Sequence, residues 1–223
     1  MPLPQDKQFA LAVTVDFDAH AAWLAKGRND PAILARGEFG AEVGVPRLLD
    51  IFDRYRIPTT WGIPGHSIMT WPDACKDVLA RGHEVCAHGV YHENLTDMPE
   101  PIERKLMAHQ IQQHLDVLGT RPRGYRAPSG SLSYNTFEIL EEFGLDWHSS
   151  LSGRDFEPYH PGRSWRSTRT APPSTGGSTG CWSSRPRGSW RTGWPSSTSA
   201  ATPWACRPPT WCCGAGPTPS TTA

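Results

Sequence analysis

The stretch Gly82-His83-Glu84-Val85-Cys86-Ala87-His88-Gly89-Val90-Tyr91-His92 decides the fold. Its centre, Val85-Cys86-Ala87, is an apolar run of the kind that lies inside a parallel sheet. Just past the run, His88 and His92 follow as i and i+4, where a turn can aim both imidazoles at one point. Pro72 to Ala80, upstream, reads as a helix, with Gly82 as its stop signal. A helix therefore delivers a strand, and chemistry-bearing residues sit at the end of that strand.

The same arrangement repeats along the chain. Phe9 to Asp18 is an apolar, Val-rich run predicted to be a core strand buried on both faces, with Asp16 and Asp18 at its end. Arg47 to Tyr55 places Leu48, Ile51, Phe52 and Tyr55 at helical spacing. Ile57 to Ile63 reads as a strand ending at Pro64-Gly65-His66. Met107, Ile111, Leu115 and Leu118 mark one stripe of a helix that Gly119 can terminate. Gly124 to Pro128 is a short strand carrying Arg126. Phe137, Leu140 and Phe143 mark a helix before Gly144, and Asp146 to Leu151 begins a fifth strand. Strand and helix alternate with short connections, which predicts an α/β fold with a parallel sheet, open or closed into a barrel. In such sheets the chemistry gathers at the carboxyl ends of the strands. Asp16, Asp18, His66, His88 and Arg126 all fall at that edge.

Those residue types have a shared use. One carboxylate and two imidazoles form a three-ligand metal set with coordination positions left over, as in hydrolytic metal sites. Two acids as close as Asp16 and Asp18 repel unless a cation or a shared proton relieves them. A metal at Asp18, with Asp16 free as general base, uses both. Arg126, in Gly124-Tyr125-Arg126-Ala127-Pro128-Ser129, needs a partner at an apolar strand end, and a carboxylate such as Asp16 suits its guanidinium.

Taken in order, the acid pair, Gly-His-Glu-Val…His-x-x-x-His and Arg-x-Pro resemble the polysaccharide deacetylase family with the NodB homology domain (carbohydrate esterase family four). The resemblance runs from Phe9 to about Pro161. It implies a distorted (β/α) barrel of NodB-homology type and a divalent metal, commonly zinc, held by an Asp and two His. It also implies hydrolysis of non-peptide C–N bonds, removing acetyl groups from N-acetylated sugars. Residue by residue, Asp18, His88 and His92 would be ligands, Asp16 the base and Arg126 the residue orienting it. Three departures stand out. The family usually has adjacent acids, whereas Phe17 separates them here, so the roles of Asp16 and Asp18 are open to exchange. This spaced form is closer to the branch of cytoplasmic peptidoglycan-deacetylase-like and allantoinase-like proteins, which makes a cyclic amide or ureide hydrolase the alternative. Ser129 stands where many members have an aromatic residue, and its backbone N–H could serve substrate binding as an oxyanion donor. The family's last strands and motifs should lie beyond Arg163.

Beyond Arg163 the composition changes. Ser164 to Ala223 uses only Ser, Thr, Arg, Pro, Gly, Ala, Trp and Cys. With no aliphatic residue larger than Ala it is expected to form no packed strand or helix, although six Trp and four Cys are unusual for a disordered tail. A reading-frame shift in G/C-rich coding DNA accounts for this. Pro209 to Ala223 admits codons whose alternative frame reads DVVLRGWADAFDYG, and Ser164 to Ser184 admits one close to ELEVDPDGTAQYGRLDGLLVE. The expected organisation is an incomplete catalytic domain at 1–163, its C-terminal strands missing, then a non-native unstructured tail at 164–223. An inactive truncated remnant is thus a further alternative.

The net charge of zero averages these two parts. Removing the six tail Arg leaves 16 basic residues against 22 acids, about −6, which excludes a basic nucleic-acid face. No long apolar run marks a membrane span or a signal peptide, so a cytoplasmic location is expected. In that compartment Cys75 and Cys86 are buried thiols rather than a disulfide. The expected partner is a carbohydrate or small amide substrate, with homo-oligomerisation left open.

Overall fold

The computed structural model describes residues 8–153, Tyr159 and the backbone of Cys181–Ser184. All of these belong to the unit Met1–Gly193. Six strands form one sheet in sequence order: β1 (Thr14–Asp16), β2 (Thr60–Ile63), β3 (Glu84–Ala87), β4 (Gly124–Tyr125), β5 (Trp147–Leu151) and β6 (Cys181–Ser184). The first five are parallel, with Asp16 opposite Gly62, Gly62 opposite Cys86 and Ala87 opposite Tyr125. The parallel sheet is the one the alternation predicts, and its five strands curl into a half-barrel, in keeping with the barrel type the resemblance implies.

Among the described residues seven α-helices lie between β1 and β5: α1 (Ala21–Leu24), α2 (Pro31–Phe39), α3 (Val45–Tyr55), α4 (Gly65–Thr70), α5 (Pro72–Ala80), α6 (Glu100–Gln113) and α7 (Thr136–Glu142). Local chemistry sets their ends. Asp30 caps α2 by accepting from the Ile33 amide, with Pro31 at the first helical position. Arg81 closes α5 ahead of Gly82, which adopts φ +85°, and Gly119 at φ +67° stops the π-helical turn 114–118 that extends α6.

Strand alternation divides the two faces of the sheet. In β2, Trp61 and Ile63 point into a core with Leu49, Phe52, Ile68, Cys75 and Val78. A second core gathers Met107, Ile111, Tyr125, Leu140 and Leu145 beneath β4 and β5. Cys75 and Cys86 are both buried free thiols. Burial pushes Cys75 up to about 12 and raises Cys86 as well, so neither is a reactive thiolate.

Several expectations need correction. The first strand is only Thr14–Asp16, and Phe9 and Leu11 are 78% and 75% exposed rather than buried on both faces. Its ladder reaches only as far as β2 offers partners, the Val13 carbonyl accepting the Thr60 amide being its last bond. In α3 the buried stripe is Val45, Leu49 and Phe52, while Ile51 and Tyr55 face outward. Helices α1, α2 and α4 had no counterpart in the apolar periodicity. The expectation that 164–223 contains no strand fails at β6, which pairs antiparallel with β5. The free edge of β5 offers backbone donors and acceptors that an added strand can meet without any particular side chains. The rest of 164–223, and with it most of the proposed tail, lies outside the described residues. Among the described residues no helix is long and apolar enough to cross a membrane.

Candidate metal centre

The site is built at the carboxyl ends of β1, β3 and β4. Strand β1 stops at Asp16. Phe17 then turns into the core, 4% exposed, and its amide bonds the Gly62 carbonyl. Ala19 takes a left-handed backbone, φ 47°, just after Asp18, and the Ser67 hydroxyl donates to the Asp18 carbonyl at 2.7 Å. The two acids are thereby sent to different partners.

Asp18 meets both histidines. His88 Nε2 lies 3.3 Å from Asp18 Oδ1, and His92 Nε2 lies 3.6 Å from Oδ2. One ligand atom from each of the three residues falls within 4.8 Å of the others. The imidazole rings stand 5.1 Å apart at 84°, which suits two donors converging on one centre. His88 Nδ1 is 2.8 Å from the Arg126 carbonyl. A proton on Nδ1 donates to that carbonyl and leaves the Nε2 lone pair for a ligand bond.

The electrostatics fit a cation. Burial pushes the Asp18 carboxyl up, but the His88 contact and the charges of His88, His92 and Lys26 outweigh it and hold the pKa low. Burial pulls His88 down, yet Asp18, Asp16 and the Arg126 carbonyl raise it above its usual value. His92 is lowered, burial again being the main cause, with Asp18 opposing it. Asp18 Oδ1 is buried and faces His88 Nε2 at 3.3 Å, so with the His88 proton on Nδ1 it is left without a hydrogen-bond donor. An ionised oxygen in that state is costly unless a cation neutralises it. Carboxylate plus two imidazoles is a donor set for zinc and related ions. The residues therefore fit a divalent metal.

Asp16 meets Arg126 instead. Arg126 Nε lies 3.3 Å from Asp16 Oδ1, and Nη2 donates to the Thr14 hydroxyl at 2.9 Å. The guanidinium thus reaches from β4 across the half-barrel to β1. It passes over Gly62, where a Cβ would stand 2.9 Å from Asp16 Oδ1, 3.5 Å from His88 Cγ and 3.6 Å from Arg126 Cδ. A side chain on this face of β2 would obstruct the Asp16–Arg126 pair.

Ser129 is exposed on the 3-10 turn Pro128–Gly130 with a left-handed backbone, φ 53°. Among the described residues it makes no hydrogen bond or ion pair to Asp18, His88 or His92. Pro128 beside it packs under Gly89, in the loop between the two histidines. His66 lies at the start of α4, its ring 6.4 Å from Tyr91 and 6.5 Å from His20, outside the triad. Gly62, Ser67 and Glu93 went unnoticed in the sequence. They act through empty space or through the backbone, and neither leaves a chemical motif.

A parallel half-barrel with Asp and two His converging at its strand ends defines a class of α/β protein with a candidate divalent-metal site at the carboxyl edge of its sheet. Residues 36–148, half of the chain, match the polysaccharide deacetylase family, and the chain belongs to that family. It is 40% identical over 163 residues to the peptidoglycan deacetylase of Helicobacter pylori, covering 71% of this chain and 56% of that protein. A Mycobacterium smegmatis crystal structure assigned to the polysaccharide deacetylases superposes with a TM-score of 0.64 at 35% identity, over 68% of this chain and 54% of that one. The Puue allantoinase shares the fold, with a TM-score of 0.64 at 21% identity over 81% of this chain and 62% of its own. The chain spans about half the length of the curated relatives it matches.

Proposed function

We propose that the chain is the metal-binding, catalytic portion of a hydrolase that removes acetyl groups from an N-acetylated sugar, of the kind found in peptidoglycan. The observation carrying this reading is the convergence of Asp18, His88 and His92, one ligand atom from each lying within 4.8 Å of the others. Asp18, His88 and His92 would hold the ion, for which zinc is our choice because two imidazoles and a carboxylate suit its tetrahedral preference. When bound, such an ion supplies Lewis acidity, polarising the acetyl carbonyl and making water acidic enough to attack at neutral pH. Asp16 takes the proton from the attacking water at Oδ2 and passes it to the departing amine. Arg126 holds Oδ1 of the same carboxylate, which fixes its direction. The Ser129 amide, on the turn after β4, is our candidate donor to the developing oxyanion. We further propose a cytoplasmic enzyme acting on soluble precursors, and a frame shift as the origin of the sequence after Arg163.

The test is metal content. The chain is expected to bind one zinc or cobalt ion, and the His88→Ala/His92→Ala double variant none. Tight stoichiometric binding by the double variant would exclude the site. The spaced acids Asp16 and Asp18 favour one competing chemistry, ring opening of a cyclic amide or ureide. Parallel assays of acetate release and ring opening on the metal-loaded chain separate the two, and neither activity despite bound metal marks an inactive remnant.

A further inference from the structure

We infer that Glu93 is a positioning residue that locks the loop between His88 and His92 and so sets the ligand geometry; this rests on the metal-site reading above. Three residues, Gly89, Val90 and Tyr91, separate the two histidines. Glu93 turns its carboxylate back into this loop. The Val90 amide donates to Oε1 at 3.1 Å and to Oε2 at 3.0 Å, and the Tyr91 amide donates to Oε2 at 2.7 Å. Hydrogen bonds to an ionised carboxylate are stronger than neutral ones, and two successive amides on one acid fix the chain direction between them.

The other side of the loop is held as well. The Gly65 amide donates to the Gly89 carbonyl at 2.9 Å, and the His66 amide donates to the Val90 carbonyl at 2.7 Å. The loop is therefore gripped by the β2–α4 junction through its carbonyls and by Glu93 through its amides. There is no slack at Gly89. It has φ +75°, and a Cβ there would lie 2.9 Å from Pro128 Cγ and 3.0 and 3.1 Å from the two Glu93 oxygens. His92 itself has φ 61°, a conformation that a non-glycine residue keeps only when its surroundings impose it. Glu93 is a charged side chain bonded directly to the loop backbone, and it is not a member of the ligand set. Its carboxylate is committed to the two amides, so it acts on the metal through the histidines' positions.

The experiment uses the full chain, freed of metal and titrated with cobalt(II), whose visible absorption reports both affinity and coordination geometry. Amide hydrogen exchange is followed at Val90 and Tyr91 before metal is added. Glu93→Ala is expected to lose protection at those two amides and to weaken cobalt binding ten- to a hundredfold, the usual effect of removing a supporting group behind metal ligands. Its ligand-field spectrum should change shape. Glu93→Gln retains a carbonyl oxygen able to accept from both amides and should restore most of the affinity and the wild-type spectrum. Should Glu93→Ala fail to fold, Glu93→Asp, which withdraws the carboxylate by one methylene, carries the same comparison. Unchanged cobalt affinity and spectrum in a folded Glu93→Ala chain would overturn the inference even if amide protection is lost. Failure of the wild-type chain to bind cobalt would instead overturn the metal reading on which it rests.

Discussion

Replacing Gly62 with Ala should separate catalysis from stability at this site. Gly62 is on the inner face of β2, opposite to Trp61 and Ile63, and its backbone is not in the left-handed region. Ala therefore introduces no backbone strain. Its Cβ would stand 2.9 Å from Asp16 Oδ1, where ordinary contact begins at 3.4 Å, so the carboxylate must retreat by about 0.5 Å. The obstructed atom is the end of a flexible side chain, and the retreat is cheap. Gly→Ala at a compatible backbone also gains about 0.4–1 kcal/mol by restricting the unfolded chain. The two effects oppose, leaving Tm within a few degrees of the parent. Catalysis has no such relief, because the retreat disturbs the 3.3 Å Asp16–Arg126 contact and moves the proposed base off its line. A misplacement of about 1 Å can cost on the order of a hundredfold in rate. Half that distance corresponds to about tenfold in kcat, or roughly 1.4 kcal/mol of barrier. Acetate release from N-acetylglucosamine oligomers at saturating substrate, measured beside zinc content and Tm, provides the assay. Full zinc, near-parental Tm and a tenfold lower kcat are expected. A kcat within twofold of the parent would refute the placement of Asp16 at the reaction.

Asp16→Asn is expected to keep stoichiometric metal and lose turnover, whereas Asp18→Asn should lose the metal; the reverse pattern would mean that the acid roles are exchanged. His114 is fully buried, neither ring nitrogen has a partner, and burial lowers its pKa to about 4. Its folded pKa lies below the unfolded value of 6.5, so the unfolded chain binds more protons between these values. Stability is fully present above about pH 6.5 and falls toward pH 4, by about 3 kcal/mol from this group. His114→Leu should flatten that limb in urea titrations across pH, and an unchanged slope would rule out His114 as its source. A single-base correction of the reading frame upstream of codon 164 should raise both Tm and specific activity; equal values for the two chains would count against the frame shift.

How far the site could be read from the sequence follows from the kind of information each residue carries. That Asp16, Asp18, His88, His92 and Arg126 come together was legible because a parallel α/β chain gathers its strand ends at one edge. The alternation of β2, α5, β3, α6 and β5 was equally legible, since each run has its own periodicity and stop signal. Strand β1 was overread because Val-rich composition reports burial preference, whereas a strand lasts only as long as its neighbour. Helix α2 was missed because its evidence lay in the Asp30 cap and Pro31 rather than in an apolar stripe. The supporting residues are harder in principle. Gly62 works by lacking a side chain where three others, from β1, the end of β3 and the end of β4, come together. Glu93 and Ser67 work on backbone groups, which every residue possesses. Such roles depend on which atoms the fold brings together, and only a description of the fold can assign them. The residues that hold the chemistry in place are for that reason the ones most worth substituting.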